Sequence, residues 1–340
     1  MPWPLIKLMP KKTEFKFVRF ATFAAFISVV LVITSFVSMF TGGFRENPIE
    51  IYQKAQGSPI DRVGTILSHG FALGIDFQGG TLVEIRAPNE IDLGAVREGL
   101  NNLNLGDVQV QAFGDPRNAQ VRFNTEAMPA EQAMQVVASN LSTLVPNVQI
   151  VRTEVVGPKV SSELFASGLT ALGLAIVLVL IYIAFRFEWN FGFGAVLSLF
   201  HDTILTLGLF SAFRIDFTLT IIAALLTIIG YSMNDTVVVF DRLRENLRKY
   251  RKMPVADVID LSTNETLSRT MVTSVTALLA SIALLVYGGE TLYGFAVCMI
   301  FGIVIGTYSS IYVAAPSILL LGANRPKEGA PAEGEPQKAG

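Results

Sequence analysis

Cysteine is almost missing from this chain of 340 residues: Cys298 is the only one, and it lies in an apolar run. No disulfide can form within the chain, and one cysteine with two histidines cannot close a structural zinc site. Charge is also scarce, at 16% of residues against about 25% in soluble domains. No nucleophile–base set, metal site or phosphate-cradling loop is visible, so neither an enzyme nor a cofactor is expected.

What the chain has in quantity is apolar sequence: 51% of residues are hydrophobic and the mean hydropathy is +0.50. Its runs are long enough to cross a bilayer, which takes about 20 apolar residues. The first covers about 20–40 and follows Lys7, Lys11, Lys12, Lys16 and Arg19. A basic start and an apolar core also describe a signal peptide. This run is too long for one, however, and no convincing small-x-small cleavage site follows it. An uncleaved span with a cytoplasmic N-terminus is expected. Five more spans are expected near 164–185, 191–213, 217–240, 270–287 and 292–321. The link 241–268 holds Arg242, Arg244, Arg248, Lys249, Arg251 and Lys252. With basic clusters kept inside, both termini are cytoplasmic and the large domain is extracytoplasmic.

Between the first two spans the composition becomes that of a soluble domain. Alternating apolar residues predict strands near 81–87, 108–113, 119–124 and 148–156, with a turn at 115–118. Helices are expected over 91–103 and 129–144, where Pro129 suits a first turn. This β-α-β-β-α-β order is that of a ferredoxin-like split βαβ unit, preceded by an extra strand near 71–77. The expected fold is therefore an α-helical polytopic membrane protein with six transmembrane helices and an α+β ferredoxin-like extracytoplasmic domain. Its parts are a cytoplasmic N-terminus at 1–19, a first helix at 20–40, a periplasmic domain at 41–163, a five-helix portion at 164–321 and a disordered cytoplasmic tail at 322–340.

One span breaks its own rule. Asp235 lies inside the apolar run that begins near Phe217, with Asn234 beside it. A carboxylate at that depth costs roughly 2.5–3.5 kcal/mol on insertion scales and marks a functional site by default. On a helix, Thr227, Tyr231, Asn234 and Asp235 share a face. Its expected partner is Arg269, which opens the next span, with Thr273 and Thr276 continuing the basic stripe. A static ion pair that fixes register, or an arginine that snorkels to the interface, is one account of this pair. A proton site is the other, because a nearby cation and burial act on a carboxyl in opposite directions. His201 and Asp202 form a second polar island in the third span, either extending a relay or tying helices together. Gly294, Cys298, Gly302, Gly306 and Ser310 make a ridge of close approach in the last span, towards the bundle or towards a partner.

Four motifs carry a family resemblance. They are Gly74-Ile75-Asp76-Phe77-Gln78-Gly79-Gly80-Thr81, Val156-Gly157-Pro158-Lys159-Val160, the run from Gly230 to Arg242, and Ser268-Arg269-Thr270. Together they resemble SecF, the smaller member of the SecD/SecF family, which is similar to the resistance–nodulation–division transporters. Met233 stands where that family usually has a small polar residue.

The resemblance implies a proton-motive-force-driven accessory to Sec protein translocation in the bacterial cytoplasmic (inner) membrane. The implied partners are SecD, the SecYEG translocon, YajC, the translocating polypeptide and membrane lipid, with no nucleic acid. It also implies that Asp235 and Arg269 belong to the proton pathway. In the Asp76 motif, Gly79 and Gly80 read first as a turn that allows positive φ. A polypeptide contact for this loop is the alternative. A proton-coupled small-solute antiporter subunit and a structural scaffold are the competing functions.

Overall fold

The computed structural model describes residues 13–55, 58, 62, 65–66, 69–103, 105–106, 108–113, 115–124 and 129–321. The expectations for Lys7, Lys11 and Lys12 and for the tail 322–340 lie outside the described residues. The elements in chain order are α1 (Phe17–Phe40), α2 (Pro48–Lys54), α3 (Ile75–Gln78), β1 (Gly80–Arg86), α4 (Leu93–Asn101), β2 (Val108–Phe113), β3 (Asp115–Phe123), α5 (Ala130–Leu144), β4 (Gln149–Val156), α6 (Pro158–Arg186), α7 (Trp189–Phe213), α8 (Leu219–Lys249), α9 (Val255–Tyr287) and α10 (Glu290–Ser309). A π-helical segment, Ser310–Ala314, leads on into α11 (Ala315–Leu321).

Among the described residues, six helices are long and apolar enough to cross a membrane: α1, α6, α7, α8, α9, and α10 continued through α11. Between α1 and α6 stands a four-stranded sheet in the order β2-β3-β1-β4, with every neighbouring pair antiparallel. That is the split βαβ arrangement. Strand alternation sends Val83, Ile85 and Val121 to one face, where Val96, Leu100, Val137 and Leu141 of α4 and α5 complete a single apolar core. The Asp92 side chain caps α4 by accepting from the amides of Gly94 and Ala95.

Two expectations are corrected. The segment near 71–77 is not a strand. Ile75–Gln78 is one helical turn, and only an isolated bridge from Leu73 to Phe217 is strand-like. The stretch 241–268 is helical on both sides of Tyr250–Pro254, because α8 runs on to Lys249 and α9 already begins at Val255. Its basic residues stay partly or fully exposed while the helices bury Leu243, Leu247, Val258 and Ile259, together with Asp260, which accepts from the Val18 amide at 2.9 Å. Asn246 donates to Ser262 at 3.0 Å and Arg242 donates to Glu265 at 2.7 Å across this hairpin.

Helix α8 lies at the centre of the bundle and packs on α6, α7, α9 and α10. The glycine ridge of α10 faces it. A Cβ at Gly294 would lie 2.9 Å from Ile221, one at Gly306 would lie 3.0 Å from Ser232, and one at Gly302 would overlap Ile228. The ridge therefore serves packing within the bundle. Gly302→Leu is expected to cost about 1–3 kcal/mol by overpacking, read as a fall in the thermal melting point of the chain in detergent. Gly173→Leu is the control, since nothing lies within 4 Å of a Cβ there.

Candidate functional site

Asp235 sits near the middle of α8, 3% exposed. Among the described residues its Oδ2 has no hydrogen-bond partner, and neither do the buried hydroxyls of Thr236 and Thr270. Such groups are costly in an apolar bundle. The hairpin register puts α9 opposite. Asn246 meets Ser262 and, further along, Tyr231 donates to Ser274 at 3.2 Å, so Asp235 lies across from the turn of α9 that follows Arg269.

The Arg269 guanidinium acts electrostatically on the Asp235 carboxylate, but no hydrogen bond or ion pair within 4.0 Å joins them. Arg269 is exposed on the outer side of the bundle, as are Thr227, Asn234 and Thr276. The static ion pair considered from the sequence is thus not formed. The face expected to carry Thr227, Tyr231, Asn234 and Asp235 together is split: Asp235 turns inward while Thr227 and Asn234 turn outward. Thr273 and Thr276 do not reach towards Asp235. Thr273 donates to the carbonyl of Arg269 and Thr276 to that of Val272, each bonding back to its own helix.

His201 and Asp202 are brought together with partners that sequence reasoning missed. The His201 Nδ1 lies 2.9 Å from Asp202 Oδ1, and both side chains are buried. Ser232 and Ser309 both donate to Asp202 Oδ2, and Ser28 of α1 lies against the His201 ring. Their only signal in the sequence was hydroxyls inside apolar runs, and such hydroxyls more often bond to their own helix.

The Asp76 loop joins the sheet domain to α8. Gly79 and Gly80 adopt the expected positive φ, 72° and 105°, which glycine enters at no steric cost, but they are a helix-to-strand junction rather than a turn between strands: Gly79 ends the helical turn α3 and Gly80 opens β1. Asp76 does something the sequence did not announce. Thr218, at the start of α8, makes no side-chain cap, and the Leu219 amide instead donates to Asp76 Oδ2 at 2.9 Å. A carboxylate there satisfies an orphan amide and complements the positive end of the helix dipole.

Beside it, the Gly74 amide donates to the Phe217 carbonyl at 2.9 Å and the Phe217 amide donates to the Ala72 carbonyl at 2.6 Å. Arg122 of β3 donates to the Leu73 carbonyl at 2.6 Å and pairs with Asp216 at 3.1 Å. Burial raises the Asp216 carboxyl above its usual range, and Arg122 opposes that shift. The sheet domain is thus fastened to the first turn of the helix that carries Asp235.

Comparison with known proteins agrees with this architecture. Residues 136–324 match the family model for the C-terminal part of the SecD/SecF protein export membrane proteins, and residues 65–87 match the SecD/SecF GG motif. The chain is 41% identical to the protein translocase subunit SecF of Rhodobacter capsulatus, over 95% of this chain and 93% of that one. It is 44% identical to the subunit of the same name from Cereibacter sphaeroides, over 76% and 83%. Among solved structures it is similar to SecDF, a translocon-associated membrane protein, from Thermus thermophilus. The TM-score is 0.76 and the identity 30%, covering 93% of this chain and 40% of that much longer one. The sheet, the GG motif and the six apolar helices have one explanation: the chain belongs to the SecD/SecF family of multi-pass protein export membrane proteins of the bacterial inner membrane.

Proposed function

We propose that this chain is an accessory subunit of Sec protein translocation that uses the proton gradient, with Asp235 as the group that takes up and releases the proton. The observation that carries this is the buried Asp235 carboxylate, which has one oxygen without a hydrogen-bond partner among the described residues and a guanidinium in electrostatic reach but not in contact. A proton on Asp235 removes the cost of a bare charge in the bundle. Loss of that proton creates a charge that draws Arg269 inward. A charge moved through the full membrane potential releases about 2.3 kcal/mol per 100 mV, enough to bias two arrangements of α8 and α9.

The remaining parts fit this role. Arg269, Asn234, Thr227 and Thr276 are polar residues exposed on the outside of spanning helices, where lipid would not solvate them well. A SecD chain, helical and polar on the matching face, would cover them. The sheet domain lies on the periplasmic side, with both termini cytoplasmic. It receives the movement of α8 through Asp76 and Asp216. The free edge of β4, with Ile150, Val151 and Val155 exposed, is a place where an extended exported polypeptide could pair. SecYEG supplies the channel, and YajC is a further partner.

The test is reconstitution. Vesicles holding this chain, its SecD partner and SecYEG are given a proton gradient, and completion of export of a model preprotein is followed. Export should rise with the gradient and fall to the gradient-free level when an ionophore collapses it. Equal export with and without the gradient would overturn the proposal, as would failure of any SecD chain to co-purify from native membranes.

A further inference from the structure

The His201–Asp202 island contains a counting problem with one solution. Three contacts run in series from it to α1. His201 Nε2 lies 3.2 Å from Ser28 Oγ, Ser28 Oγ lies 3.0 Å from the Tyr308 hydroxyl, and the Tyr308 hydroxyl lies 2.8 Å from the Ala24 carbonyl oxygen. Each contact needs a proton between its two atoms. Ser28 and Tyr308 bring one each, and the carbonyl can only accept. The third must sit on Nε2. Then Nε2–H donates to Ser28, Ser28 to Tyr308, and Tyr308 to the carbonyl. With a bare Nε2, one contact would set two lone pairs against each other.

The other ring nitrogen faces Asp202 Oδ1 at 2.9 Å, and this contact also needs a proton, on one atom or the other. Asp202 Oδ2 is already filled by the hydroxyls of Ser232 and Ser309. We infer that the His201–Asp202 pair holds two protons, is neutral as a unit, and forms a second proton-holding site that fastens α1 to the bundle.

Charge leads to the same conclusion independently. Among the described residues His201 is the only ion-pair partner of Asp202, and no lysine or arginine pairs with it. With a single proton the pair would carry a net negative charge between apolar helices, a cost that the second proton removes. The elements packed on it bring no cation. From α1 come Ser28 and the Ala24 carbonyl, with Arg19 away near the start of that helix. From α8 comes Ser232, with Asp235 one turn further on. From α10 come Ser309 and Tyr308, whose ring lies 6.1 Å from that of His201 and 5.4 Å from that of Tyr312. Release of the Nε2 proton would break the series at Ser28 and loosen α1 from α7 and α10.

The site extends the proton-coupled reading to a second position, and its test is separate. The chain has two histidines, His69 and His201, so His69→Gln leaves a single ring to observe. The intact chain, labelled with nitrogen-15 histidine and placed in lipid bilayers, is examined by solid-state NMR at neutral pH. The expected result is a protonated Nε2. In Ser28→Ala the Nε2 proton should stay, since the charge of Asp202 still requires it, while its signal moves to that of an N–H without an acceptor. A bare Nε2 with the proton on Nδ1 in the native chain overturns the inference. The readout is the ring itself. A bare Nε2 would leave the role of Asp235 standing, and a failed gradient assay would leave this site standing.

Discussion

Asp235→Asn is expected to remove the gradient-dependent part of export completely while leaving the subunit folded and bound to its partner. The substitution keeps the shape of the side chain and takes away the only chemistry the site requires, the exchange of a proton. Its effect on stability should be small or favourable, because a bare carboxylate at that depth costs roughly 2.5–3.5 kcal/mol and an amide costs less. Among the described residues, Asp235 Oδ2 has no hydrogen bond to lose. A scaffold would behave in the opposite way, since a group retained only for assembly can be altered without any change in response to the gradient. In the reconstituted vesicles, export by the variant should match export by the native protein after the ionophore. Co-purification of the SecD chain should be unchanged. A variant that still responds fully to the gradient would remove Asp235 from the proton pathway.

Much of the architecture is legible in the sequence, and what is not has specific causes. Six spans follow from run length alone, and the split βαβ unit follows from strict alternation around Val83, Val110 and Val121. Asp235 stood out because nothing in the folding of an apolar bundle requires a carboxylate. The link 241–268 misled because its Arg and Lys residues mark the side of the membrane, and composition hid the helical spacing of Leu243, Leu247, Val258 and Ile259.

Asp235 and Arg269 were matched by depth, but depth does not fix rotation about the helix axis. Asp235 turns inward and Arg269 outward. The ridge of α10 was visible, but its direction was not, because small residues allow close approach without choosing a neighbour. Contacts across long separations left no local trace. Asp76 caps a helix that begins 143 positions later, and Ser28 meets His201 across 173.

Arg122→Ala is expected to detach the sheet domain from the start of α8. The Arg122 and Asp216 side chains are 12% and 21% exposed, so the pair is largely out of water. Breaking a buried pair by removing one partner costs about 3 kcal/mol at the lower end of the usual range, mainly because the other charge is left behind. Arg122 also holds the Leu73 carbonyl, so the strand-like bridge to Phe217 loses its brace.

The loss should depend on pH in a definite direction. Burial raises the Asp216 carboxyl, and removing Arg122 removes the chief force that opposes this. A carboxyl that is raised in the docked state favours docking while it is protonated, and that contribution disappears as pH rises through its docked value. In the variant, docking should therefore be firmest in acid and weakest at neutral pH and above. Hydrogen exchange at the Phe217 and Leu219 amides reports it, since both donate across the junction. Adding Asp216→Asn removes the stranded charge and should abolish most of that pH dependence. Slow exchange at neutral pH in Arg122→Ala would mean that Asp76 and the backbone bridge hold the domain without the ion pair.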